Sequence, residues 1–284
     1  MKTHLNTLFV TSDGTYLGKE GEAVSVKQGE ERTLRVPIHM IESIVCLARA
    51  TVSPHLMALC AARGVSITFL EPTGRFHARV EGRGGGNVLL RKDQFRASED
   101  TLRTLEFSRA FVQAKIHNSR ILITRAIRDH GDTSAGELES VAGVLSGCLR
   151  RATAAKEINE LRGVEGEAAR HYFSVFSHLI RSDDDLLRMD GRNRRPPRDP
   201  INAMLSFGYA LLASDTRSAC ETVGLDPQVG FLHADRPGRV GLALDLAEDL
   251  RSVLADRVVL SLLNRQQITS DQFETDAGGA VRMG

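Results

Sequence analysis

A glycine tract, Gly82-Arg83-Gly84-Gly85-Gly86, divides the chain into stretches written in different periods, and this break constrains the fold more than any other feature. Consecutive glycines forfeit local stiffness and reach backbone angles that other residues avoid, so a domain boundary is expected there. Before the tract, short apolar and β-branched runs alternate with turns: Leu8 to Val10, Ala23 to Lys27, Leu34 to Ile38, Ile44 to Leu47, Val65 to Leu70 and Arg75 to Val80. Asp13-Gly14, Gly18 to Gly21, Gly29-Glu30-Glu31 and Thr73-Gly74 read as the turns between them. A helix interrupts the series. Ser53 and Pro54 supply its cap and first residue, Leu56, Leu59 and Cys60 its apolar stripe, and Gly64 its end. From Ser98 onward Leu102, Leu105, Phe111, Val112, Ile116 and Ile121 to Ile123 recur mainly at three to five residues, and helix follows helix to about Asn264. The expected class is α+β: a β-rich domain over 1–82, a junction over 83–97 and an all-α domain over 98–284, with Asp183 to Arg198 as an exposed loop.

The 37 basic residues nearly cancel the 36 acidic ones, so contact with nucleic acid must come from local clusters and not from the net charge of +1. Cys46, Cys60, Cys148 and Cys220 are scattered without a C-x-x-C pair. This argues against a disulfide framework or a zinc ribbon and fits a reducing cytoplasm. No stretch approaches the ~20 apolar residues of a membrane span, so the expectation is a soluble cytoplasmic protein with no membrane partner.

Within the helical part, Glu165 stands in Gly163-Val164-Glu165-Gly166, just before Ala168 and Ala169, whose small side chains let another element approach closely. Taken alone it is a carboxylate at a helix start, favoured by the helix dipole. His233 ends the apolar run that follows Gly224-Leu225-Asp226-Pro227, and a lone histidine of this kind is more often a satisfied side chain than a ligand. The next segment, Leu242 to Arg251, sets Asp245 and Glu248 three apart and Asp249 four from Asp245, so these acids share one side of a helix. Like charges this close need compensation. A divalent cation would supply it, and Arg251 with nearby arginines is the alternative. One imidazole with carboxylates is not a structural zinc set; it suits Mg²⁺ or Mn²⁺ with positions open to water and phosphate, hence phosphoryl transfer at a nucleic-acid backbone. Between Arg188 and Arg198, Arg188, Arg192, Arg194, Arg195 and Arg198 form a compact positive patch, delivered beside a helix that Asp199 caps and Pro200 opens. Arg91 and Arg162 either extend that patch or decorate the surface.

Four pieces occur in order: Gly163 to Gly166; Arg195-Pro196-Pro197-Arg198-Asp199-Pro200-Ile201-Asn202-Ala203-Met204-Leu205-Ser206-Phe207; Gly224-Leu225-Asp226-Pro227 to His233; and Leu244-Asp245-Leu246-Ala247-Glu248. Together with the Gly85 to Arg91 junction they resemble the signature of the Cas-one family, the CRISPR-associated integrases and endonucleases of spacer acquisition, in its type I-C flavour. The resemblance runs over essentially the whole chain. It implies a β-sandwich-like N-terminal domain followed by an α-helical catalytic domain, a homodimer, and a small ferredoxin-like second acquisition protein as partner. It puts metal ligands at Glu165, His233 and Glu248, with Asp245 as a supporting catalytic acid and Mg²⁺ or Mn²⁺ as cofactor. Arg91, Arg162, Arg192, Arg194, Arg195 and Arg198 would then hold DNA phosphates. The implied reaction is insertion of a short foreign DNA, the prespacer, at a CRISPR repeat by 3′-hydroxyl attack on a phosphodiester, with hydrolysis of DNA at the same site. Members of this flavour usually continue past the point matched by Gly278 to Gly284, so a missing C-terminal tail is expected. That leaves a catalytically impaired DNA-binding assembly subunit as the alternative.

Overall fold

The structure is a computed structural model and describes residues 6–29, 31–82, 87–130, 135–182, 184, 186–189 and 191–283. It separates into two units, Met1–Asn87 with Glu221–Gly224 and Val88–Cys220 with Leu225–Gly284. Most of the glycine tract, residues 83–86, lies outside the described residues. At Gly82 a Cβ would stand 2.2 Å from the Ala61 carbonyl oxygen, so only glycine allows the chain to pass there.

The first unit runs β1 (Thr7–Val10), β2 (Thr15–Glu20), β3 (Ala23–Gln28), β4 (Glu31–Pro37), β5 (Ser43–Cys46), β6 (Thr51–Val52), α1 (Pro54–Arg63), β7 (Ser66–Leu70) and β8 (Phe76–Val80). These strands form two four-stranded sheets, ordered β1-β5-β7-β8 and β4-β3-β2-β6. In the first sheet β1, β5 and β7 are parallel and β8 is antiparallel; in the second, β2, β3 and β4 make an antiparallel meander and β6 lies parallel to β2. Alternation sends Val10, Leu17, Val24, Ile44, Cys46 and Ile67 into one core, which Leu56, Leu59 and Cys60 of α1 join. The α1 signals work as written: Ser53 Oγ accepts from the Leu56 amide at 3.2 Å, and Gly64 ends the helix with φ 72°. Strand β2 departs from the expectation of a turn over Gly18 to Gly21. Gly18 sits mid-strand, where a Cβ would come within 3.0 Å of the Tyr16 ring, and the turn is the pair Gly21-Glu22, with Gly21 at φ 61°.

The second unit runs α2 (Val88–Glu99), α3 (Thr101–His130), α4 (Ala135–Ala154), α5 (Ile158–Ser174), α6 (Pro200–Thr222), α7 (Gly241–Leu250), a π-helical turn (Arg251–Asp256), α8 (Arg257–Asn264), β9 (Phe273–Thr275) and β10 (Val281–Met283). Its core draws Val112, Ile116 and Ile123 from α3, Leu145 and Cys148 from α4, Leu161 and Ala168 from α5, Ile201 and Leu205 from α6, and Val259 and Leu263 from α8. Much of the expected junction is helical, since α2 covers it from Val88. The all-α expectation also misses the β9-β10 hairpin, whose strands are only three residues long and too short to show alternation. Asp276 sets its turn by accepting from the Gly278 and Ala280 amides at 2.9 and 3.0 Å. The segment expected as an exposed loop is anchored, with Leu187 1% exposed and Met189 buried in the main core; residues 183, 185 and 190 lie outside the described residues. Among the described residues no helix is long and apolar enough to cross a membrane.

Candidate metal centre

Residues 228–233 lie across the first turns of α7, and two glycines make that approach possible. A Cβ on Gly230 would stand 2.7 Å from the Gly241 carbonyl carbon and 3.0 Å from Asp245 Oδ2; one on Gly241 would stand 2.8 Å from the Gln228 carbonyl oxygen. The amides of Leu242 and Ala243 donate to the Pro227 carbonyl at 3.0 and 3.3 Å, so the loop satisfies donors that a helix start leaves open. Gly230→Ala is expected to cost about 1–3 kcal/mol of stability, through the backbone shift that overpacking forces. Urea denaturation measures it, and a variant as stable as the parent would show that the loop yields freely.

Asp245, with 0% exposure, turns both carboxylate oxygens into this loop. Oδ2 accepts from the amides of Phe231 and Leu232 at 2.7 and 3.0 Å; Oδ1 accepts from the His233 amide at 3.0 Å and pairs with His233 Nδ1 at 2.6 Å. With three amides already donating to it, the carboxylate takes the ring proton bond as well, which fixes the proton on Nδ1 and leaves the Nε2 lone pair for a cation. Asp245, expected as a catalytic acid, has both oxygens occupied by the loop amides and the His233 ring. Arg162 grips the same loop from α5, donating through Nε and Nη2 to the Leu232 carbonyl at 2.9 and 2.6 Å. Its guanidinium serves the loop and is not presented for phosphate contact as the sequence suggested.

Glu165 on α5 and Glu248 on α7 meet at one ammonium. Lys115 of α3 donates to Glu165 Oε1, and its Nζ stands 2.6 Å from Glu248 Oε2. The other Glu248 oxygen, Oε1, accepts from Arg251 Nη1 at 2.7 Å and lies 3.8 Å from His233 Nε2. Burial opposes ionisation of Glu248, but the charges of Lys115 and Arg251 override it and hold the carboxyl down at about 2. Asp245 and Glu248 share a helix side as their spacing requires, yet their oxygens serve different purposes, one the loop and the other the cluster of cations.

Carboxylate oxygens with one imidazole nitrogen are donor types that Mg²⁺ and Mn²⁺ accept. Ligands of one such ion, bound at ~2.1 Å, stand at most about 4.2 Å apart, and the 3.8 Å between His233 Nε2 and Glu248 Oε1 meets that limit. Glu165 and Glu248 already share one positive charge. Among the described residues no group of three His, Cys, Asp or Glu side chains stands ready-spaced for a metal, and the point on which the glutamates converge is taken by the Lys115 ammonium.

Beyond Glu248 the π-helical turn carries Arg251 over the Tyr209 ring, 4.9 Å from its centroid, and Arg192 lies against the same ring at 5.3 Å. Asp256, at the end of that turn, accepts from Tyr172 and Tyr209 hydroxyls at 2.8 and 2.6 Å. Burial raises its carboxyl to about 6 against the lowering effect of those bonds. A cleft lined by Lys115, Glu248, Arg251, Tyr209, Asp256 and Arg194 joins these groups.

Arg194 connects the cleft to the arginine loop, which is held from below. Asp199 caps α6 as expected, its Oδ1 accepting from the Asn202 amide at 2.7 Å. Asn202, fully buried, donates to Asp199 Oδ2 at 2.6 Å and the Gly191 carbonyl at 3.0 Å, and its Oδ1 accepts from the Asn193 amide at 3.1 Å and from Arg192 at 2.6 Å. The β10 amide of Val281 donates to the Pro197 carbonyl at 2.9 Å. Arg192 is thereby turned inward, with Ser206 Oγ also accepting at 3.0 Å, and does not face outward as the sequence suggested. Arg194, Arg195 and Arg198 are exposed, and among the described residues no carboxylate pairs with them. Arg91 is half-buried on α2.

Sequence reasoning missed Lys115, Asn202 and Gly230. Lys115 left a trace: it falls beside Val112, Ile116 and Ser119 on the buried face of α3, where a lysine calls for a partner. Asn202 and Gly230 left none, because both act through backbone that is distant in sequence.

The profile described as CRISPR associated protein Cas1 matches residues 8–284. The CRISPR-associated endonuclease Cas1 1 of Chlorobaculum tepidum is 49% identical over 284 residues, covering 100% of this chain and 83% of that protein. Among solved structures, a casposase bound to integration product has a TM-score of 0.82 at 23% identity, covering 98% of this chain and 78% of its own. A Cas6-RT-Cas1–Cas2 complex has a TM-score of 0.83 at 22% identity, covering 100% of this chain and 31% of its own. At these identities the two structures bear on the fold.

Proposed function

Since this chain belongs to the family of CRISPR-associated Cas1 proteins, enzymes of the nuclease and integrase class, we propose that it inserts short DNA into a CRISPR array by attack of a 3′-hydroxyl on a phosphodiester. Glu165, His233 and Glu248 would hold the divalent ion. One observation carries the reading: carboxylates from α5 and α7 converge on a single positive charge, with His233 Nε2 3.8 Å from one of them. A bound Mg²⁺ or Mn²⁺ would offset phosphate charge and orient the attacking hydroxyl. Asp245 keeps His233 in the tautomer that presents Nε2, and Arg251 holds the Glu248 carboxylate in place. Arg194, Arg195 and Arg198, exposed on a loop stiffened by Asn202, would bind backbone phosphates and set the strand against the cleft.

DNA as substrate is supported by the fold shared with a casposase bound to integration product, and a small second acquisition protein by the fold shared with a complex that contains Cas2. A homodimer completes the proposed assembly. The test is an integration assay with the purified chain, a candidate second protein, short DNA and each divalent metal. Joined product that requires Mg²⁺ or Mn²⁺ and vanishes with chelator is expected; equal product without metal would refute the reading. Arg195→Ala and Arg198→Ala should each weaken DNA binding across all sequences and lower the slope of log affinity against log salt by about 1. Fluorescence anisotropy at several salt concentrations measures this, and unchanged slopes would remove the loop from the DNA path.

A further inference from the structure

Lys115 sits where the metal reading places an ion. Its stem leaves α3 beside Val112 and Ile116, both buried, its side chain is 13% exposed, and its ammonium touches Glu165 and Glu248 together. Two half-hidden carboxylates this close repel one another unless a cation stands between them. Arg251 cannot fill that role for both, since it reaches only Glu248 Oε1. A lysine suits the position physically: it is a point charge on a flexible four-carbon stem, able to leave without rebuilding a fixed fork of hydrogen bonds. It also lines the cleft that contains Arg194 and Tyr209.

We propose that Lys115 is a resident counter-ion whose ammonium stands in for the divalent ion between Glu165 and Glu248, so that metal loading is a displacement of this lysine. The proposal rests on the metal-site reading above. The carboxylates stay converged on the Lys115 ammonium when no divalent ion is bound. The lysine also sets a threshold, because an incoming ion must outcompete a tethered ammonium already in place. A doubly charged ion gains about twice the attraction to each carboxylate that the ammonium has, which is what allows displacement. A monovalent ion has no such advantage.

The test is direct Mn²⁺ titration of the full DNA-free chain, with free Mn²⁺ read by electron paramagnetic resonance, for the parent and Lys115→Met. Removing the competitor is expected to tighten Mn²⁺ binding about tenfold and to lower the melting temperature of the metal-free protein. Parent-like or weaker Mn²⁺ affinity in Lys115→Met, with the parent itself binding, overturns the counter-ion role and leaves the metal site standing. Mn²⁺ binding by neither protein overturns the site and this role with it. If Lys115→Met does not fold, lysine acylation of the parent, read by peptide mass spectrometry, decides the matter. Lys115 should be protected without Mn²⁺ and labelled at saturating Mn²⁺, and equal labelling in both states overturns the proposal.

Discussion

His233→Ala and Glu248→Gln should each lower metal-dependent DNA joining by about a thousandfold, which corresponds to roughly 4 kcal/mol of lost transition-state stabilisation. The reason is geometric. In the proposed site His233 Nε2 and Glu248 Oε1 stand 3.8 Å apart and approach from a loop and a helix; losing either leaves the ion with two of its three protein ligands. The substitutions differ in what else they disturb. His233→Ala removes a ring whose hydrogen bond goes to Asp245, which keeps its three backbone donors. Glu248→Gln takes a charge from a pocket where Lys115 and Arg251 depend on it, so it should also lower thermal stability. Product formation under saturating Mn²⁺ checks both, with DNA binding measured in parallel. Activity above a tenth of the parent in both variants, with folding intact, would show that these side chains do not hold the working ion.

Asp245→Ala carries the largest expected effect on stability, about 3–5 kcal/mol. It strips the acceptor from three loop amides and from the His233 ring, at a carboxylate that is itself 0% exposed. Each buried donor left without a partner costs about 1–3 kcal/mol, and partial relaxation of the loop recovers some of the sum. Asp245→Asn keeps the shape but presents an amide edge to donors, and is expected to weaken Mn²⁺ affinity about 10–100-fold through the loss of His233 orientation. Chemical denaturation checks the first and metal titration the second. An alanine variant within 1 kcal/mol of the parent would mean that the loop is held elsewhere, with the Arg162 bonds to Leu232 the first place to look.

Much of the local structure follows from nearby residues. Ser53, Pro54 and Gly64 delimit α1, and Asp199 with Pro200 begins α6, because caps and breakers act over only a few residues. Strand β2 and the C-terminal hairpin were not legible for the matching reason. A glycine admitted by the Tyr16 ring and strands of three residues carry no periodic signal of their own. The pairing of Asp245 and Glu248 on one helix side was legible from a spacing of three, whereas the direction of their oxygens was not.

Sequence alone named the residues proposed to hold a cation, Glu165, His233 and Glu248, with Asp245 beside them, in pieces whose order resembles one family. The tertiary structure decided what each does. It turned Asp245 and Arg162 toward the histidine loop and Arg192 inward, left Arg194, Arg195 and Arg198 to solvent, and set Lys115 between the glutamates. The physical reason is that helix spacing fixes a side of a helix but not a partner. A charged group settles against whichever opposite charge the packing of distant elements brings within hydrogen-bonding reach.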